Sequence, residues 1–190
     1  RNVLMNGQVF NSQQNPLYTN CCCNTVSPFL AAGLAGNAYV VSADVGGTAQ
    51  AGYYAIWIEN QSGSGKNILI NNIYVVNTGL SVASPLQIYK NASLTNSPQS
   101  LPKQNTNFGS SKTSSAIAQG AQKTSESPVS GGTLFETAYQ VATLYNCEYG
   151  GAIIVPPGNS ITVQAGNWSL IHIWRSREKE RVNIRGSRDH

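Results

Sequence analysis

Asn67-Ile-Leu-Ile-Asn-Asn-Ile-Tyr-Val-Val76, followed at once by Asn77-Thr-Gly79, is the stretch that decides how this chain folds. It is short, apolar and rich in Ile and Val, whose branched side chains pack well on a pleated surface. Turn chemistry bounds it on both sides, Ser62-Gly-Ser-Gly65 before and Asn77-Thr-Gly79 after. Those are the marks of a strand.

The same rhythm recurs along the chain. Runs at 38–42, 53–59, 86–90, 114–118, 134–145, 152–155, 160–164 and 168–174 are rich in Val, Ile, Tyr, Trp or Thr. Between them stand Gly46-Gly47, Gly131-Gly132, Gly150-Gly151 and Pro156-Pro-Gly-Asn159, and no stretch has a convincing amphipathic helical period. Eight or nine short strands predict an all-β protein, a jelly-roll-like antiparallel β-sandwich over residues 37–174. Two segments, 95–112 and 119–130, are Ser/Gln/Asn/Pro-rich and read as long surface loops.

Residues 1–36 read as an extended N-terminal connector arm. Asn, Gln and Ser dominate up to Asn20, with Val3, Leu4, Val9, Phe10, Leu17 and Tyr18 as sparse apolar anchors. After the cysteines, Pro28-Phe-Leu-Ala-Ala-Gly-Leu-Ala-Gly36 reads equally as a short helix or a Gly-hinged linker. The far end, 175–190, is a charged tail unlike the rest, which reads as a solvated tail or as sequence foreign to the natural chain, and either way it is set aside. After Arg1 no arginine occurs until Arg175, the first of five in the tail.

Charge is scarce, at 11% of residues, so Asn, Ser, Thr, Gln and Gly supply the polar surface. Such composition suits an extracellular all-β protein better than a cytosolic enzyme. The net charge of +4 belongs largely to the tail: residues 1–174 carry six basic and five acidic groups, residues 175–190 six and three. A nucleic-acid reader spreads Lys and Arg over one face, and the body does not, so nucleic acid is not expected as a partner. No run approaches the roughly 20 apolar residues that span a bilayer. Arg1 does not open a basic, apolar, small-residue leader, so a secretion signal is expected to be absent or already removed.

Cys21, Cys22 and Cys23 are adjacent, and the fourth cysteine is Cys147. A disulfide needs Cα atoms about 4.4–6.8 Å apart with facing Cβ atoms, which neighbours on an extended chain reach only with strain. One of the three can bridge to Cys147 within a chain, and at least two are left over. Surplus cysteines in an oxidising compartment point to bonds between chains. The setting Thr143-Leu-Tyr-Asn-Cys-Glu-Tyr-Gly-Gly151 puts Cys147 at the end of a long strand, at the rim of the sandwich. An open sheet edge is a template for an added strand, so the arm of one subunit is expected along the edge of the next. Disulfides from the triple cysteine to Cys147, or to other arms, would lock that contact. A tetrahedral zinc site is disfavoured because contiguous cysteines fan out rather than converge. Buried free thiols sit badly in so polar a segment.

Catalytic signals are thin. His172 stands alone on the last strand, and Asp44, Glu59, Glu126, Glu136 and Glu148 are scattered without a close pair. Gly63-Ser-Gly-Lys66 lacks the rest of a phosphate loop and reads as a hairpin turn. No cofactor is expected. Asn60-Gln-Ser, Asn91-Ala-Ser and Asn167-Trp-Ser match the glycosylation acceptor pattern, which arises readily in an Asn-rich chain. Tyr53, Tyr54, Trp57, Trp168 and Trp174 suit a sugar platform, although alternating aromatics are more often core and cross-strand packing.

A Cys-rich arm, a β-sandwich of Asn/Ser/Thr/Gly-rich strands and a later Cys followed by aromatics resemble the endospore appendage subunits of spore-forming Gram-positive bacteria. Asn60-Gln-Ser-Gly-Ser-Gly-Lys-Asn-Ile-Leu-Ile-Asn-Asn-Ile-Tyr74 and Val155-Pro-Pro-Gly-Asn-Ser-Ile-Thr-Val163 are similar to stretches of related small jelly-roll surface proteins. The resemblance covers residues 15–174 and implies a helical homopolymer on the cell or spore surface, with N-terminal arms joining successive subunits through disulfides. By position, Cys21, Cys22 and Cys23 match the arm cysteines and Cys147 the acceptor. The chain departs from the pattern in having three adjacent cysteines and a longer domain. A carbohydrate- or receptor-binding sandwich, from an appendage tip or phage fibre, is the alternative expectation.

Overall fold

The computed structural model describes residues 27–43, 52–77, 84–140, 144–166 and 169–177. The chain enters through a short helix, α1 (Pro28–Leu34). Its start is specified locally: the Ser27 side chain accepts a hydrogen bond from the Leu30 amide at 3.1 Å, and Pro28 occupies the first turn, where its missing N–H costs nothing. Gly36, at φ 68°, turns the chain out of the helix. Of the two readings open for 28–36, the helix is the one adopted.

Thirteen strands follow among the described residues. They are β1 (Ala38–Ala43), β2 (Tyr53–Asn60), β3 (Ile68–Asn77), β4 (Ser84–Lys90), β5 (Ser93–Leu94), β6 (Gln99–Ser100) and β7 (Lys103–Asn105). Then come β8 (Ile117–Lys123), β9 (Val129–Ser130), β10 (Thr133–Gln140), β11 (Leu144–Val155), β12 (Asn159–Gly166) and β13 (Ser169–Arg177). One sheet has the order β11-β3-β13-β1-β7, a second β10-β4-β12-β2-β8-β6, and a small pair joins β5 to β9. The pairings are antiparallel. The all-β antiparallel sandwich expected from the sequence is therefore the fold.

Alternation builds the core. Val41, Ile73, Val75 and Ile173 from the first sheet meet Ile56, Ile58, Leu86, Ile88 and Val163 from the second in one cluster, all at most 2% exposed. Burying each such side chain is worth about 1.5–3 kcal/mol, so the interior supplies the dominant stabilising term. In β3 the alternation breaks once and recovers. Ile68 and Ile70 point inward, then Ile73 and Val75 do, and Asn71 is the extra residue between them. Trp174 opposes Asn72 and Arg175 opposes Ile70, so Asn71 is a bulge. On the other side Glu148 opposes Asn72 and Ile153 opposes Ile70, and Tyr149–Ala152 loop out there.

On β12 the outward-pointing Ser160, Thr162 and Gln164 are buried too. The β5–β9 flap covers them. Ser160 and Thr162 hydroxyls reach the Ala92 carbonyl at 3.5 Å, Gln164 bonds Ser127 and donates to Gln87 Oε1 at 3.0 Å, so these buried polar groups are satisfied.

Several local expectations need correction. The single strand expected at 134–145 is two, β10 in one sheet and β11 in the other. Gly150-Gly151, expected to punctuate strands, lies inside β11 at φ 58° and 87°. Segment 119–130 is no loop at its start, because β8 runs through Lys123. Its small residues, poor strand formers alone, fit there because Tyr54 lies against Gly120 and leaves no space for a side chain. The 62–65 turn is a 3-10 turn that carries the chain from β2 in one sheet to β3 in the other, so it is an arch rather than a hairpin. Asn60, buried at 1% exposure, anchors that arch by donating to the carbonyls of Lys66 (2.7 Å) and Val155 (2.8 Å). Strand β13 continues past Trp174 through Arg177, pairing Arg175 with Tyr39.

Candidate functional site

Sheet edges differ sharply on the two sides of the sandwich. On one side the sheets end in β7, three residues long, and β6, two residues long. Such short edge strands blunt the template that an unpaired edge presents. On the other side they end in β10, with eight residues, and β11, with twelve. Among the described residues nothing pairs with the outer side of either long strand. That open edge is where the chain's chemistry collects.

Cys147 stands on β11. It opposes Ile73, which is fully buried, so its side chain shares the core-facing side of the sheet. Because β11 is outermost, the thiol is nevertheless only half-buried and free. Tyr145 and Tyr149, two positions away on either side, share that face. Their hydroxyls donate to the two carboxylate oxygens of Glu136 on β10, Tyr145 to Oε1 at 3.2 Å and Tyr149 to Oε2 at 3.0 Å. The carboxylate ties the two sheet edges together. Burial pushes both tyrosine hydroxyls well above their usual range, and for Tyr149 hydrogen bonds with Cys147, Tyr145 and Glu136 push the same way. The sequence reading places the thiol at a strand's end; it lies instead within β11, the outermost strand of its sheet.

Beside this cluster runs an apolar groove of about 400 Å³, lined by Ile88, Tyr89, Phe135, Ile153, Ile154 and Ile161 among others. Leu134, Phe135 and Ile154 are 49%, 60% and 52% exposed, large for apolar side chains in one neighbourhood. Phe135 breaks alternation because it is a bulge: Leu134 opposes Tyr89 and Glu136 opposes Ile88, leaving it between them. The sequence reading passed over Phe135 and set Glu136 aside as one of several scattered acids. The adjacent pair Leu134-Phe135, which no period-two strand buries on one face, was the available signal.

Across the molecule, a polar cleft is lined by Tyr54, Asn96, Ser97, Gln99 and Gln122. Asn96 and Ser97 both take left-handed backbone angles, φ 66° and 51°. Amides, a hydroxyl and one aromatic ring give it no formal charge.

The remaining sequence candidates disperse. Cys21, Cys22 and Cys23 lie outside the described residues, as do Asp44, Asn167 and Trp168. His172 stands in register between Ser42 and Tyr74, inside the first sheet. Glu126 pairs with Lys123 at 2.5 Å, which holds its carboxyl below the usual range. Asn60 is committed to the arch, and Asn91 bonds Ser160 and Asn159 at the surface. Among the described residues no three His, Cys, Asp or Glu side chains gather as a metal site, and no helix is long and apolar enough to cross a membrane. No family model matches the chain, and neither a curated protein nor a solved structure matches it.

Proposed function

We propose that this chain is the structural, non-enzymatic subunit of a self-assembling extracellular filament, a pilus-like appendage of a cell or spore surface. Copies join head to tail, the N-terminal arm of one meeting the open edge of the next, and disulfides from Cys21, Cys22 or Cys23 to Cys147 or to other arms hold them. The observation that carries this reading is the company Cys147 keeps: a half-buried thiol on a twelve-residue edge strand, beside exposed Leu134, Phe135 and Ile154. Covered apolar surface and a covalent staple are what a permanent subunit contact needs. Eight of the nine longer strands, β11-β3-β13-β1 over β10-β4-β12-β2, with β8 added beyond β2, have the order that supports a jelly roll, a body that presents one pair of edges outward. Head-to-tail contacts that do not close into a ring generate a filament.

The test is negative-stain microscopy of the purified chain with and without a strong reductant, beside non-reducing gels. Long fibres and a covalent ladder that reductant collapses are expected, with Cys147→Ser altering the ladder. Discrete particles without a ladder overturn the filament, and an unchanged ladder in Cys147→Ser removes that residue from the contact.

The polar cleft favours a second reading, a carbohydrate-binding sandwich. Amide and hydroxyl groups around the Tyr54 ring suit a neutral sugar. This reading expects a closed small oligomer and a rise in melting temperature with added oligosaccharide.

A further inference from the structure

We infer that the apolar groove at the open edge is the seat for Leu17 and Tyr18 of a second copy's arm. The inference rests on the filament reading and names the contact that precedes its disulfide.

Spacing selects the occupant. Along β3, Cys147 is opposite Ile73, Ile153 opposite Ile70 and Val155 opposite Ile68. The groove thus begins about 10 Å from the thiol and extends to about 17 Å, at 3.3–3.4 Å per strand residue. In the arm, Tyr18 and Leu17 precede Cys21 by three and four residues, a reach of about 10–14 Å on an extended chain. Using Cys22 or Cys23 instead lengthens that reach by one or two residues and keeps the pair near the groove. Val9 and Phe10 lie some eleven residues or more before Cys21, about 36 Å or more when extended, and overshoot it.

Chemistry agrees with the spacing. Asn15-Pro-Leu-Tyr-Thr-Asn-Cys-Cys-Cys23 carries no formal charge, so the arm brings no ion to desolvate, and Lys90, the one charged residue of the lining, is exposed and keeps its ammonium in water. Pro16 fixes its own φ and biases Asn15 toward extended backbone, which lowers the ordering cost of binding. Leu17 matches the Ile153, Ile154 and Phe135 lining, while Tyr18 brings an aromatic body and a hydroxyl to a groove that also holds Asn159 and Ser160.

A second copy fits better than the chain's own arm. The described chain starts in α1, which packs against β13 and β1, and at the end of the helix away from the arm Asn107 donates to the Leu34 carbonyl at 3.2 Å. Strands β13 and β3 separate β1 from β11, about 14 Å of sheet at 4.7–4.9 Å per strand, and Cys147 faces the interior side of the far edge. A path from β1 to that thiol crosses β13 and β3 and passes to the interior side of the edge, whereas a neighbour abutting the edge faces the thiol directly.

The experiment uses the full chain. After reductant is removed, the rate of ladder formation is measured for the unaltered chain, Leu17→Ser, Phe135→Ser and the double variant, with Leu34→Ser on α1, itself 70% exposed, as control. Each single change is expected to slow the ladder about tenfold, the loss of one good apolar contact, and the double variant to be no slower than either. Phe135 is exposed, so melting temperature stays near that of the unaltered chain and confirms folding. In parallel, a photo-crosslinking phenylalanine analogue at position 18 is placed in mixed light- and heavy-nitrogen copies. Cross-links from position 18 to peptides holding Phe135 or Ile154, joining light with heavy, are expected. A normal ladder in both single variants, or cross-links confined to one isotope or landing elsewhere, overturns the seat and leaves the filament standing. No ladder from the unaltered chain overturns the filament and the seat together.

Discussion

Tyr145 and Tyr149 hand both their protons' hydrogen bonds to one carboxylate, and that makes the open edge sensitive to alkali. A tyrosine in an unfolded chain ionises near pH 10. Burial, with Glu136 and Cys147 beside them, holds both hydroxyls neutral well above that in the folded protein. The folded state therefore keeps protons that the unfolded state gives up. Stability from this source is whole below about pH 10 and is lost as pH rises beyond it. Denaturant midpoints measured from about pH 8 to pH 11.5 are expected to hold level and then fall, and to fall less steeply in Tyr145→Phe/Tyr149→Phe. Burial raises Tyr54 and Tyr89 as well, so tyrosinate absorbance should show late-titrating hydroxyls whose number falls by two in the double variant; ordinary titration of all nine tyrosines contradicts the packing described here.

Strand β3 shows which elements a sequence declares and which it hides. Its Ile-Leu-Ile-Asn-Asn-Ile-Tyr-Val-Val run announces a strand, since it is short, apolar and β-branched with turn residues outside it. The bulge was hidden, because Leu69, Tyr74 and Val76 make both halves of the run apolar throughout, and only the burial of Ile68 and Ile70, one residue out of phase with Ile73 and Val75, reveals it. Deleting Asn71 restores an unbroken alternation, and the chain is expected to fold with a stability change of about 1 kcal/mol or less. Deleting Tyr74 instead turns Val75 outward and is expected to abolish the cooperative melt. Circular dichroism melts of the two deletions decide it, and equal damage from both refutes the bulge. Strand β8 was hidden, because Ala, Gln and Gly say little about strands until Tyr54 packs over Gly120. The switch from β10 to β11 was hidden too, since sheet membership is settled by tertiary pairing that no local pattern records. As for the site, Cys147 was legible from cysteine arithmetic, whereas Glu136 and the groove depend on β10 and β11 lying side by side.

At the scale of the whole molecule, the sandwich is asymmetric in the feature that governs association. One side carries two- and three-residue edge strands, and the other carries the long unpaired β10 and β11 with exposed apolar residues. With charge at 11% of residues, little like-charge repulsion opposes contact at that side. Natural sandwiches commonly guard an exposed edge with lysine, and here the exposed positions Thr137 on β10 and Ile154 on β11 carry none. Installing the guard tests whether its absence matters. Thr137→Lys/Ile154→Lys is expected to leave the melting temperature nearly unchanged, because both positions face solvent, and to yield monomers by light scattering under conditions in which the proposed function expects fibres from the unaltered chain. Gln104→Lys, at the exposed centre of the already blunted β7, is the matched control and should leave assembly intact. If the control blocks assembly as well, added charge alone is responsible. If the double variant still polymerises, subunits meet somewhere other than the open edge, and the blunted side becomes the surface to probe.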